Sequence, residues 1–188
     1  EIAAVLAFSA IHNNDKVGVI FFSDIIEKFI PPKKGTTHIL RIIRELIDFK
    51  PESQQTNISE ALRFLTNALK KRCTAFLISD FMDKDFDNAL KIAGNKHDVG
   101  AIRIFDPREV ELPNIGLVKI YDKERNSSSW VDTSSSKLRK HYARKWKEQD
   151  HFLTSLFKRS GVDYVNIRTD EDYVRPLMKL FKMREARL

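Results

Sequence analysis

The sequence predicts an α/β domain on a largely parallel sheet with helices on both faces, and two observations carry that prediction. Short continuous apolar runs recur at residues 17–22, 73–79, 99–105 and 162–167, separated by segments whose apolar residues fall at helical spacing. Runs that are apolar on both faces suit strands buried between helix layers. Their alternation with helices implies right-handed crossovers and a doubly wound sheet. The 188 residues fit a single domain, 1–188, large enough to bury a core without disulfides or a structural metal.

In order, Ile2, Val5, Leu6 and Ile11 place a helix at the start, and Asn13 to Asp15 a turn. The strand 17–22 follows. After Ser23 and Asp24, a small antiparallel edge strand is expected over 25–30, stopped by Pro31 and Pro32. A helix from about Thr37 carries Ile39, Ile42, Ile43, Leu46 and Ile47 on one stripe. Asn57, with Glu60 three residues on, resembles a capping arrangement for the helix bearing Ala61, Leu62, Leu65 and Leu69. The strand 73–79 leads to a helix over about 85–95, for which Asp83 is the expected cap, and then to the strand 99–105.

Residues 108–133 interrupt this alternation as an inserted hairpin, with strands at 117–121 and 129–131 and a polar tip at 122–128. The serines 134–136 cap a long helix with Leu138, Tyr142, Trp146, Leu153 and Leu156 on its apolar stripe, closed by Gly161. The last strand, 162–167, precedes a helix started by Thr169 and Asp172.

Composition narrows the function. The single cysteine, Cys73, excludes an internal disulfide and a multi-cysteine zinc site, and it is expected to be a buried, inert thiol in a reducing, cytoplasmic setting. No apolar stretch approaches a membrane span, and residues 1–10 lack the pattern of a signal peptide. A start on a helical segment without methionine implies a longer natural chain. The formal charge of +7 admits an acidic partner or nucleic acid. Lys137, Arg139, Lys140, Arg144, Lys145 and Lys147 line the long helix, but Tyr142 and Trp146 share its apolar stripe, so a solvated basic face is expected and nucleic-acid binding is not. The five histidines show no metal-ligand spacing and no pairing with a nucleophile. There is no Gly-x-Ser-x-Gly elbow or phosphate loop, so no enzyme is expected.

Ligands of doubly wound sheets bind outside the carboxyl ends of the strands, where this sequence places Asp24, Asp80, Asp106 and Asp170. Asp24 fits a tight turn, Asp106 precedes a proline, and Asp170 or Thr169 fits a helix cap. Asp80 stands two residues clear of the next polar loop. With the hydroxyl of Thr56 it offers half of an oxygen site for Mg2+; turn chemistry alone is the other reading. A nuclease built on Asp24, Asp80 and Asp106 is the competing expectation, because two-metal phosphodiester chemistry needs converging carboxylates.

The ordered series Asn14 to Asp24, Pro31 to Gly35, Thr56-Asn57-Ile58, Phe76 to Phe81, His97-Asp98-Val99, Asp106 to Glu109, Glu111-Leu112-Pro113 and Thr169 to Tyr173 resembles the bacterial family numbered fifty-eight among domains of unknown function, which has a von Willebrand factor A-like, Rossmann-like fold. The resemblance covers nearly the whole chain. It implies a metal-ion-dependent adhesion site in which Thr56 is the threonine and Asp80 the last aspartate. It places the family's first strand, and the Asp-x-Ser-x-Ser motif after it, upstream of Glu1. Loss of that central strand is expected to leave two strands with open edges that pair in a dimer or close the gap. The implied function is Mg2+-dependent protein–protein interaction by the intact protein, alongside a MoxR-type AAA+ ATPase in complex assembly, in the cytoplasm or at its membrane face.

Overall fold

A computed structural model describes residues 1–122 and 127–185, and the chain divides into two compact units, Glu1–Lys70 and Lys71–Leu188. The centre of the expected hairpin tip, 123–126, lies outside the described residues.

The first unit holds α1 (Ile2–His12), β1 (Val17–Phe22), β2 (Ile26–Lys33), α2 (Thr36–Asp48) and α3 (Ile58–Ala68). Asn14 closes α1 with a left-handed φ of 54°, which its short polar side chain tolerates. β1 and β2 form an antiparallel hairpin. Pro31 and Pro32 lie inside β2, where the sequence places its end. The register shifts from Val19↔Ile30 to Val17↔Lys33, so the prolines occupy a bulge on a strand paired along one edge only, and their missing N–H groups cost no ladder bond. Gly18 faces them: a Cβ there would meet Ile30 O at 2.8 Å and Pro32 N at 2.9 Å.

α2 buries Ile39 and Ile42, whereas Ile47, expected on the buried stripe, is 76 % exposed in the last turn. His38 Nε2 lies 2.9 Å from Val17 O and ties α2 to β1. Phe21 on Phe49 and Phe29 on Phe64 complete the packing, with ring centroids 4.7 and 5.2 Å apart.

The second unit holds β3 (Thr74–Ser79), α4 (Asp87–Lys96), β4 (Asp98–Phe105), α5 (Pro107–Val110), β5 (Leu117–Asp122), β6 (Ser127–Asp132), α6 (Ser136–Arg159), β7 (Asp163–Arg168) and α7 (Val174–Glu185). β3, β4 and β7 make a parallel three-stranded sheet with β4 in the centre, and β5 and β6 pair as a separate antiparallel hairpin. The architecture is therefore mixed α/β. In place of one continuous sheet there are three: one parallel and two hairpins.

The inserted hairpin stands where the sequence places it, preceded by an unexpected turn of helix, α5. Asp106 caps α5, and Pro107 at its first position needs no N–H partner. Ser135 caps α6 by accepting from Leu138 N. Two expected caps are not caps. Asp83 Oδ1 takes the N–H of Lys84, and α4 begins at Phe86 with no side-chain cap; Asp170 instead receives two bonds from Arg168, while Asp172 takes the N–H of Val174. In each case a nearer donor satisfies the carboxylate before the helix begins.

The core gathers Phe81, Phe86, Leu90, Ala101, Ile102, Phe157 and Leu180, all fully buried. At the far end of β4, Gly100 leaves room for Arg184, which bonds Asp98 and lies over the Phe76 ring at 5.2 Å. No helix among the described residues is long and apolar enough to cross a membrane.

Candidate functional site

Thr56 belongs to the first unit and Asp80 to the second. Thr56 is half-buried in the loop before α3, and its hydroxyl makes no hydrogen bond among the described residues. The loop around it is firmly held. Asn57 donates its N–H to Ser23 O at 2.9 Å, and its side chain caps α3 by accepting from Glu60 N at 2.9 Å. Glu27 holds the other end: its Oε1 accepts from the Ser23 hydroxyl at 2.7 Å and from the N–H groups of Glu52 and Ser53 at 3.0 and 3.2 Å. These bonds, the Ser23 hydroxyl foremost, hold the Glu27 carboxyl below the usual glutamate value. The sequence reading missed Glu27, which lies some 25 residues from the loop it organises. Asp24 stands in the adjacent turn and accepts from the Ser23 hydroxyl at 3.3 Å.

In the second unit, Asp80 follows the last residue of β3, so its carboxylate stands at the carboxyl end of the parallel sheet. It does not stand clear of turn chemistry: Oδ1 accepts the N–H of Met82 at 3.1 Å, which makes Asp80 the first residue of its own turn. Oδ2 makes no hydrogen bond among the described residues, and the residue is exposed.

The next residue, Phe81, has φ 58°, a conformation that bulky side chains rarely adopt and that costs about 1–3 kcal/mol. Burial holds it there. Its ring is fully enclosed against Phe157, 5.1 Å away edge to face, its N–H donates to Ser79 Oγ at 3.1 Å, and its carbonyl accepts from Gln149 Nε2 at 3.1 Å.

Arg103 lies directly across from Ser79 in the β3–β4 register and is 1 % exposed. Its Nε donates to Asp80 O at 3.3 Å, its Nη1 to Asp150 Oδ1 at 2.9 Å, and its guanidinium lies 4.2 Å from the Trp146 ring centroid. Nη2 has no partner among the described residues. Burial pushes the guanidinium below its ordinary value, against the pull of Asp150, Glu109 and Asp80. Burial raises the Glu109 carboxyl, and the charges of Asp80 and Asp106 push in the same direction. The sequence gave one signal for Arg103: it is the lone charge within the apolar run 99–105.

The donor chemistry of Thr56 and Asp80 suits Mg2+, but the number of ligands does not. Mg2+ wants six oxygens, and among the described residues no three His, Cys, Asp or Glu side chains are grouped to hold a metal. Nor is the nuclease cluster assembled. Asp106 Oδ1 is engaged at 2.8 Å by the N–H of Arg108, and no converging set includes Asp24, Asp80 and Asp106.

The Asp-x-Ser-x-Ser spacing does occur within the chain, at Asp132, Ser134 and Ser136, between β6 and α6, where the sequence reading overlooked it. There it serves the fold: Asp132 Oδ1 takes the N–H of Ser134, and Ser135 caps the helix. Arg139, expected on the basic face of α6, turns back to donate to the carbonyls of Thr133 and Ser134. Lys137, Lys140, Arg144, Lys145 and Lys147 are exposed.

Comparison with known proteins places the chain. Uncharacterised proteins of Mycobacterium tuberculosis and Mycobacterium bovis are 23 % identical to it over 185 residues, which is 97 % of this chain and 58 % of theirs. The chain thus spans little more than half the length of these relatives. An uncharacterised protein of Mycobacterium avium is 27 % identical over 135 residues, covering 71 % of this chain and 79 % of its own.

Two solved structures share the fold at 16 % identity. BatB, a conserved hypothetical protein of Bacteroides thetaiotaomicron, superposes with a TM-score of 0.53 over 98 % of this chain and 86 % of its own. An aerotolerance-related membrane protein of Bacteroides fragilis gives 0.56 over 96 % and 87 %. The family model described as protein of unknown function DUF58 matches residues 1–152, and the chain belongs to that family.

Proposed function

We propose that the intact protein is a von Willebrand factor A-like binding module, not an enzyme, that captures a partner protein at the rim bearing Asp80. On this reading Thr56 and Asp80 are two oxygen ligands of a Mg2+-dependent adhesion site whose remaining ligands lie outside residues 1–188. The chemistry such an ion supplies is an open coordination position for a partner's carboxylate. The partner machinery is a MoxR-type AAA+ ATPase engaged in complex assembly, and the setting is the cytoplasm or its membrane face.

The observation that carries the reading is the Asp80 turn. A strained, fully buried Phe81 follows a carboxylate that spends one oxygen on the turn and leaves the other unbonded at the sheet's carboxyl end. Strain of that kind concentrates at functional sites. The fold shared with BatB and the aerotolerance-related protein is in keeping with this reading.

Co-elution of the native-length protein with a MoxR-type ATPase from the same genome tests the assignment. The reading predicts a complex in Mg2+ that dissociates in chelator and is weakened by Asp80→Ala. A complex indifferent to both chelator and that substitution would overturn it.

A further inference from the structure

We infer that Arg103 is the positioning residue of the Asp80 turn and that it joins that turn to α6. Every contact that compensates its burial leads to one of those two places. Nε holds the Asp80 carbonyl, Nη1 holds Asp150 on α6, and the guanidinium plane is covered by Trp146, also on α6. α6 grips the same turn twice more, through Gln149 on the Phe81 carbonyl and Phe157 on the Phe81 ring.

A cation with an unused Nη2, nearly sealed on the central strand, is a costly way to fill a core. What it supplies that an apolar residue cannot is a fork of directed donors spanning a strand end and a helix. Asn166 on β7 also donates to Asp150 Oδ1, at 3.4 Å, so the anchoring carboxylate is itself held from a second strand. Movement of α6 and movement of the Asp80 carboxylate are thereby one event, and a partner that displaces the helix alters the ligand geometry of the turn.

The ligand half of this inference rests on the function proposed above; the mechanical half does not, and one experiment separates them. In the native-length protein, amide exchange of Phe81 and Met82 is followed in Asp150→Asn, Gln149→Leu and Arg103→Lys, with the amides of β4 reporting global stability. Asp150 is 43 % exposed on its side chain, so its variant retains the fold even where Arg103→Lys does not. The inference predicts faster exchange confined to the turn in Asp150→Asn and Gln149→Leu. Arg103→Lys keeps the charge but not the fork, and does not restore protection.

Where the native-length protein binds Mg2+, the affinity of the same variants falls about 10-fold or more, the usual cost of removing a group that holds a metal ligand in place. Turn exchange unchanged from wild type in folded Asp150→Asn and Gln149→Leu would overturn the inference. Faster turn exchange in a protein that binds no Mg2+ would leave Arg103 in this role and remove the metal reading instead.

Discussion

The Cys73 sulfur lies 3.4 Å from Nδ1 of His97, and the two residues sit side by side because each immediately precedes the paired segments of β3 and β4. A separation of 24 positions conceals this neighbourhood in the sequence, which shows no histidine paired with a nucleophile. The contact does not activate the thiol. Burial pushes Cys73 up and the charge of Asp98 pushes it further, while burial, with Lys96 and Arg72, pushes His97 down.

Two outcomes follow from that pair. Alkylation of Cys73 at neutral pH is expected to be slower than that of a free thiol, read by mass spectrometry over time. His97 binds its proton less readily folded than unfolded, so its stabilising share is fully present above the unfolded value of about 6.5 and is lost as pH falls below it. Urea midpoints between pH 7 and 5 are expected to fall in the wild type, and to fall less in His97→Leu.

Glu27 titrates with the same dependence in a more acidic window. Its folded carboxyl is depressed, so the stabilisation it contributes is present above its unfolded value of about 4.3 and disappears as pH drops through the lower folded value. Glu27→Gln is therefore expected to be less stable than wild type at pH 7 and to converge with it in acid. Parallel denaturation curves at both pH values would show that Glu27 does not hold the Thr56 loop.

Gly18→Ala tests the proline bulge. The added methyl meets backbone on both sides, Ile30 O at 2.8 Å and Pro32 N at 2.9 Å, where no flexible side chain can yield. A loss of about 1–3 kcal/mol is expected from overpacking of this kind, measured by chemical denaturation.

β1 and β3 are each paired along one edge only, β1 with β2 and β3 with β4. Unpaired edges recruit further strands. Residues 1–188 expressed alone are expected to self-associate, seen as a concentration-dependent mass in light scattering. A monomer at all concentrations would show that these edges are closed without a second chain.

Much of the fold was legible in the sequence because its strands are continuous apolar runs and its helices carry single stripes. Ser135 and Asn57 announced their helix starts for the same local reason, a side-chain oxygen placed to take the N–H three residues on. What was not legible depends on distant partners. Pro31 and Pro32 read as a stop until the bulge opposite Gly18 is known, and Phe81 gives no sign of its positive φ until α6 supplies Gln149 and Phe157. The role of Arg103 rests on strand register and on a helix that begins some thirty residues later.

The central claim, that Asp80 presents an oxygen to a divalent cation on behalf of a partner, is tested most directly by calorimetric titration of Mg2+ into the native-length protein, Asp80→Ala and Thr56→Ala. Saturable binding in the wild type that is abolished by Asp80→Ala and weakened by Thr56→Ala is the predicted result. Equal heats in wild type and Asp80→Ala, or no binding in any of them, would contradict the account and leave the Asp80 turn as a structural element alone.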